Sequence, residues 1–156
     1  MSTMNPSFGR GARAQLINQL LYFDEQSSAF LDDFCPQQGK ERVNLEKLIE
    51  QYTAVLERLL AQDEVQFMQS LYSKVLIGSS VKVKYEEDGL EETFTIVFPT
   101  LTAPDKNYVS FLSPMGRQLL LATSGAEQTI EIPAGSFAVT IEEVKYAYSG
   151  EFTKTG

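Results

Sequence analysis

The chain has 156 residues, long enough to bury a real core in one or two small domains. It carries 13 basic and 21 acidic residues, a net charge of −8, so no strong field for nucleic-acid phosphates is built here. There is no histidine and only one cysteine, Cys35, which excludes a disulfide framework, a cysteine metal cluster and the Ser-His or Cys-His nucleophile pairs.

Residues 1–11 hold Ser, Asn, Pro and Gly and read as a flexible lead-in; Gly9-Arg10-Gly11 is too short to cradle a phosphate. This stretch has no apolar core of a signal peptide, and no apolar run reaches membrane-spanning length. A reducing cytoplasm is the expected location.

From Ala12 the pattern is helical. Leu16, Leu20, Phe23, Ser27, Phe30 and Phe34 recur at spacings of four and three, a heptad seam with a polar gap at Ser27. Pro36 stops the helix, because a proline disfavours helical geometry in the residue before it. Cys35-Pro36-Gln37-Gln38-Gly39-Lys40 then forms a compact turn. A second helix starts between Glu41 and Asn44, with a seam at Leu45, Leu48, Tyr52, Val55 and Leu59 that continues less cleanly through Leu60, Phe67 and Leu71. Two seams joined by a short turn predict an antiparallel helical hairpin over 12–74. Neither helix is stable alone, so seam contacts must hold it.

Gly78 ends the helical region, and strand signals follow. Val81 and Val83 alternate with Lys82 and Lys84 and run into Tyr85. Glu86-Glu87-Asp88-Gly89 is a hairpin turn, and Glu92 to Phe98 returns as a strand. Tyr108 to Leu112 is a third strand after a loop. Ser113 then caps a short helix, and Pro114 suits its first position, where no N–H is needed. Ser124-Gly125 breaks that helix. Gln128 to Ile132 and Phe137 to Tyr146 are strands joined by Pro133-Ala134-Gly135-Ser136. The result is a mostly antiparallel five-strand sheet with one helix over 75–148, an α+β arrangement. Residues 149–156 read as a frayed tail.

Several blocks over 75–148 resemble the C-terminal domain of the Gre family of bacterial transcription factors and the related regulator of nucleoside diphosphate kinase. They are Ile77-Gly78-Ser79-Ser80-Val81-Lys82-Val83; Phe94-Thr95-Ile96-Val97; Val109-Ser110 through Ser113-Pro114-Met115-Gly116-Arg117-Gln118-Leu119-Leu120; Ile132-Pro133-Ala134-Gly135; and Val139-Thr140-Ile141 to Val144-Lys145-Tyr146. The resemblance implies an FKBP-like sheet with a helix against it. Residues 12–74 match the family only in architecture. Gre factors place a coiled-coil hairpin here that enters the secondary channel of RNA polymerase and presents acids to its catalytic Mg²⁺, and the lengths of both helices favour that layout.

By this resemblance the chain is a regulator of elongation that binds bacterial RNA polymerase and meets nucleic acid only through the elongation complex. It is not itself an enzyme, has no membrane partner and no metal of its own, the Mg²⁺ being polymerase's. The resemblance implies tip acids at Asp32, Asp33 and Glu41 and polymerase docking at Ser113, Pro114, Met115, Gly116 and Arg117. The sequence also departs from the family. The tip has no Asp-x-x-Glu, and Lys40 stands among its acids. Leu112 replaces the acidic residue that often precedes Ser-Pro, and Phe98-Pro99 is closer to the nucleoside diphosphate kinase regulator. Solvated helix-end charge is the plain alternative for the three acids, and a capped helix is the plain alternative for Ser113-Pro114. Two other functions stay open: an interaction module whose hairpin does no work in the channel, and a prolyl isomerase implied by the FKBP-like fold, for which no aromatic pocket pattern appears.

Overall fold

The computed structural model describes residues 6–147. The expected frayed tail at 149–156 and the first five residues of the expected lead-in lie outside them. Helix α1 spans Pro6–Phe34, so helix already occupies the second half of that lead-in. Helices α2 and α3 span Lys40–Leu60 and Glu64–Leu71. The chain divides into two units, Met1–Phe67 and Met68–Gly156, where the sequence had placed the junction at 74/75.

In the first unit, α1 and α2 form the hairpin. Asp32 bonds to Arg42, Gln19 to Tyr52, and Arg13 to Leu60, so one helix descends as the other rises. The buried face of α1 is Ala12, Leu16, Gln19, Phe23, Phe30 and Leu31. The expected seam named Leu20 and Phe34 instead; Leu20 is half-buried and Phe34 is exposed. In α2 the buried residues are Leu45, Ile49, Tyr52, Leu56 and Leu59, and the expected Leu48 and Val55 flank them half-buried. Both helices carry more apolar positions than one seam needs, so the sequence admits neighbouring registers. A polar pair selects among them: the Tyr52 hydroxyl donates to Gln19 Oε1, and Gln19 is 1% exposed. Phe23 packs edge-on against Phe30 and Tyr52, at centroid distances of 5.8 and 6.2 Å.

The second helix does not run on to Leu71 as expected. Ala61 closes α2, donating to the Glu57 and Arg58 carbonyls. Asp63 starts α3: its Oδ1 accepts from the Gln66 N–H at 2.8 Å and its carbonyl from Phe67 N–H at 2.9 Å. Asp63 and Gln66 have the spacing of a capping box, a local signal to begin a new helix that overrides the apolar stripe. Arg13 of α1 secures this corner, donating to the carbonyls of Leu60 and Gln62 at 3.0 and 2.9 Å.

In the second unit, strands β1 (Ser79–Tyr85), β2 (Glu91–Val97), β3 (Tyr108–Ser110), β4 (Glu127–Ile132) and β5 (Gly135–Tyr146) form one sheet in the order β3-β2-β1-β5-β4. All pairings are antiparallel except β2 with β3, which a crossover through two short 3₁₀ turns makes parallel. Strand β3 is shorter than expected because Ser110 begins a turn: its Oγ accepts from Leu112 N–H, and its carbonyl from Ser113 N–H. Between β1 and β5 the register slips by one, Lys82 facing Glu143 and Val83 facing Ile141. This bulge at Glu142 lets both Ile141 and Val144 point into the core. Helix α4 (Pro114–Leu119) packs against β3 and β4. Its Met115 and Leu119 meet Val83, Phe94, Ile130, Phe137 and Val139 of the sheet.

Candidate functional site

The far end of the hairpin is the turn from Cys35 to Gly39. Cys35 N–H continues the helical pattern to the Leu31 carbonyl at 2.7 Å. Gly39, at φ 141°, then turns the chain into α2, a conformation that an L side chain rarely adopts. Arg42 lies across this turn. One guanidinium nitrogen donates to Asp32 Oδ1 and the other to the Cys35 carbonyl, both at 3.0 Å. The Arg42 side chain is 14% exposed and that of Asp32 is 69% exposed.

The three expected tip acids therefore differ in situation. Asp32 is ion-paired to Arg42. Asp33 is exposed at the end of α1, and its charge reaches the Tyr22 phenol, whose pKa is raised by burial first and by Asp33 second. Glu41 is exposed in the first turn of α2, where its charge favours the helix N-terminus. Among the described residues no group of three or more His, Cys, Asp or Glu side chains is placed to hold a metal ion. Arg42 engages one oxygen of the Asp32 carboxylate, Oδ1, and leaves Asp33 and Glu41 exposed. Arg42 escaped the sequence reading because its partner lies ten residues away across a turn.

The start of α4 is tightly built. Ser113 Oγ accepts from Gly116 N–H at 3.0 Å and donates to the Ser110 carbonyl at 2.7 Å, so one hydroxyl caps the helix and ties it to β3. Pro114 is exposed at the first helical position. Gly116 is buried against β3, and a Cβ built on it would lie 2.0 Å from the Ser110 carbonyl oxygen. Met115 turns inward. Arg117 is half-buried, and its Nε finds no hydrogen-bond partner among the described residues. Gln118, which the sequence reading did not single out, clamps α4 to the sheet edge. Its side-chain amide donates to the Glu131 carbonyl at 2.6 Å and accepts from Glu131 N–H at 2.9 Å, in the manner of a neighbouring strand. Of the five expected docking residues, Pro114 is the exposed one, Ser113 and Gly116 hold the turn, and Met115 belongs to the packing.

The apolar residues between α4 and the sheet leave no water-sized space.

The unit that presents this turn is the part that the family description matches. The description "Transcription elongation factor, GreA/GreB, C-term" matches residues 69–146, from within α3 to the end of β5. The chain belongs to the GreA/GreB family. The GreA of Chloroflexus aurantiacus is 36% identical over 99 residues, 63% of each chain, and that of Desulfovibrio desulfuricans is 38% identical over 77 residues, 49% of this chain and 46% of the other. The matched stretch thus spans less than two thirds of these GreA proteins. A solved GreA/GreB factor from Nitrosomonas europaea has 26% identity and a TM-score of 0.54, covering 78% of this chain and 93% of that one. The segment matching the GreA/GreB C-terminal description contains the Ser113 turn and excludes the hairpin tip.

Proposed function

We propose that this chain is a transcription elongation factor that binds bacterial RNA polymerase in the cytoplasm, its α2–α1 hairpin occupying the secondary channel. The observation that carries this reading is the GreA/GreB match over 69–146. The sheet unit docks on polymerase through the turn at Ser113 and Pro114 and through Arg117. Ser113 sets the direction of α4, and Pro114 presents a rigid exposed surface with no N–H to satisfy. The Arg117 guanidinium has no ion-pair partner among the described residues, which suits a carboxylate on the partner. The net charge of −8 suits approach to a basic channel entrance.

In this reading the hairpin fills the channel without adding carboxylates to the polymerase metal. The support is local: Asp32 is held by Arg42, and no three acids gather among the described residues. The decisive experiment is binding to purified polymerase core, followed by transcript cleavage on a backtracked complex. Binding without stimulated cleavage is the expected result. Binding with cleavage overturns the non-cleaving part, and absence of binding overturns the whole.

A further inference from the structure

Arg42 stands where local rules disfavour it. It lies in the first turn of α2, whose N-terminus carries partial positive charge. Helix α1 shows the complementary fault: its last turn holds Asp32 and Asp33 and no basic residue, beside carbonyls that carry partial negative charge. Crossing the turn cures both. The guanidinium reaches the α1 end, binds the Cys35 carbonyl there and pairs with Asp32 at 3.0 Å. An ordinary exposed ion pair contributes little. This one differs in that Arg42 is 14% exposed and makes two charge-assisted bonds from one rigid fork.

We propose that Arg42 is the positioning residue of the hairpin tip. It locks the turn of 35–39 in one conformation and withdraws the Asp32 carboxylate from any cation met at the far end of the hairpin. Asp33 and Glu41 are then the acids that the tip has free for a partner. The inference deepens the non-cleaving reading and rests on it for its functional consequence; the lock itself is a property of the free protein.

Cys35 supplies the probe, since it is the chain's only cysteine and its own carbonyl is the one Arg42 holds. The experiment is alkylation of Cys35 by iodoacetamide in the full chain, followed to the plateau of the pH–rate profile so that thiol ionisation does not enter. Arg42→Gln is expected to raise the plateau rate by about fivefold or more, given the strength of charged hydrogen bonds. Asp32→Asn is expected to raise it less, because the Cys35 bond survives. Glu41→Gln, which changes charge at the same turn but touches neither bond, leaves it unchanged. An Arg42→Gln rate equal to that of the native chain, or an equal rise in Glu41→Gln, overturns the proposal. Far-ultraviolet dichroism checks that the helices persist; if Arg42→Gln loses them, Arg42→Lys decides, since it keeps the charge and loses the fork. No polymerase is present, so failure of the lock and failure of the channel reading are separate results. With polymerase, Asp32→Asn is expected to be silent on transcript cleavage while Arg42 is present; a changed cleavage rate with binding retained overturns the withdrawal of Asp32.

Discussion

The Arg13 guanidinium lies 4.1 Å above the centre of the Phe67 ring. The same group donates to the Leu60 and Gln62 carbonyls and comes within 3.7 Å of the Glu64 carboxylate, so a single side chain of α1 holds the end of α2 and the start of α3. Arg13→Ala is expected to destabilise the hairpin unit by about 2–3 kcal/mol, from the lost cation–π contact and two bonds to carbonyls left at a helix end. Arg13→Lys keeps the charge but not the fork, and is expected to cost about 1 kcal/mol. Urea denaturation followed by helical dichroism measures both, and a loss in Arg13→Ala below that of a surface substitution refutes the role.

Gln19 and Tyr52 form the polar pair inside the hairpin core. Tyr52→Phe takes the phenol donor from a buried amide oxygen and is expected to cost about 1–3 kcal/mol. The double variant Gln19→Leu/Tyr52→Phe is expected to lose less than the two single losses added, since each single loss includes the bond the two side chains share. A double-mutant cycle in urea tests this; additive losses would mean that the two side chains act independently.

At α4 the expected effects separate packing from docking. Gly116→Ala forces a methyl group into the Ser110 carbonyl and is expected to cost about 3 kcal/mol or more in the sheet unit, because the clash is with backbone. Ser113→Ala removes a helix cap and is expected to cost about 1 kcal/mol. Calorimetry reads both. On the proposed function, Pro114→Ala weakens polymerase binding while barely changing stability, and a Pro114→Ala protein with native affinity would move the docking surface elsewhere.

Tyr85 gives a pH signature. Its pKa is raised to about 12 by burial first, then by its hydrogen bond to Glu92 at 2.6 Å and by the Glu92 and Asp88 charges. The unfolded phenol titrates near 10. The folded state thus holds its proton where the unfolded state loses it, so the contribution to stability is complete below pH 10 and is lost as pH rises towards 12. Spectrophotometric titration at the phenolate band is expected to find late-ionising tyrosines, Tyr85 and Tyr22 among them. Tyr85→Phe lowers the amplitude of the step near pH 12; an unchanged amplitude in the variant would assign that step to another tyrosine.

Local chemistry is what the sequence carried well. Strict alternation over 81–85, the Asp88-Gly89 turn and the Ser113-Pro114 start each depend on neighbouring residues alone, and each element lies where these signals put it. The Asp63…Gln66 cap was equally local and was hidden only by the apolar stripe that runs through it. The helix seams were legible as periodicity but not as register. Leu48 with Val55 and Ile49 with Leu56 satisfy the same spacing, and only the facing helix chooses between them.

The sequence by itself determined the two classes of element, the order of strands along the chain and the family likeness of the sheet unit, because backbone preference and apolar period act over a few residues. Tertiary structure alone decided the parallel pairing of β2 with β3, the bulge opposite Lys82 and Val83, the Gln19–Tyr52 pair and the capture of Asp32 by Arg42. Each of these is a bond between groups that come close only when distant segments pack. An ion pair ten residues apart across a turn leaves no periodic trace, and that pair decides which carboxylates the hairpin tip keeps free.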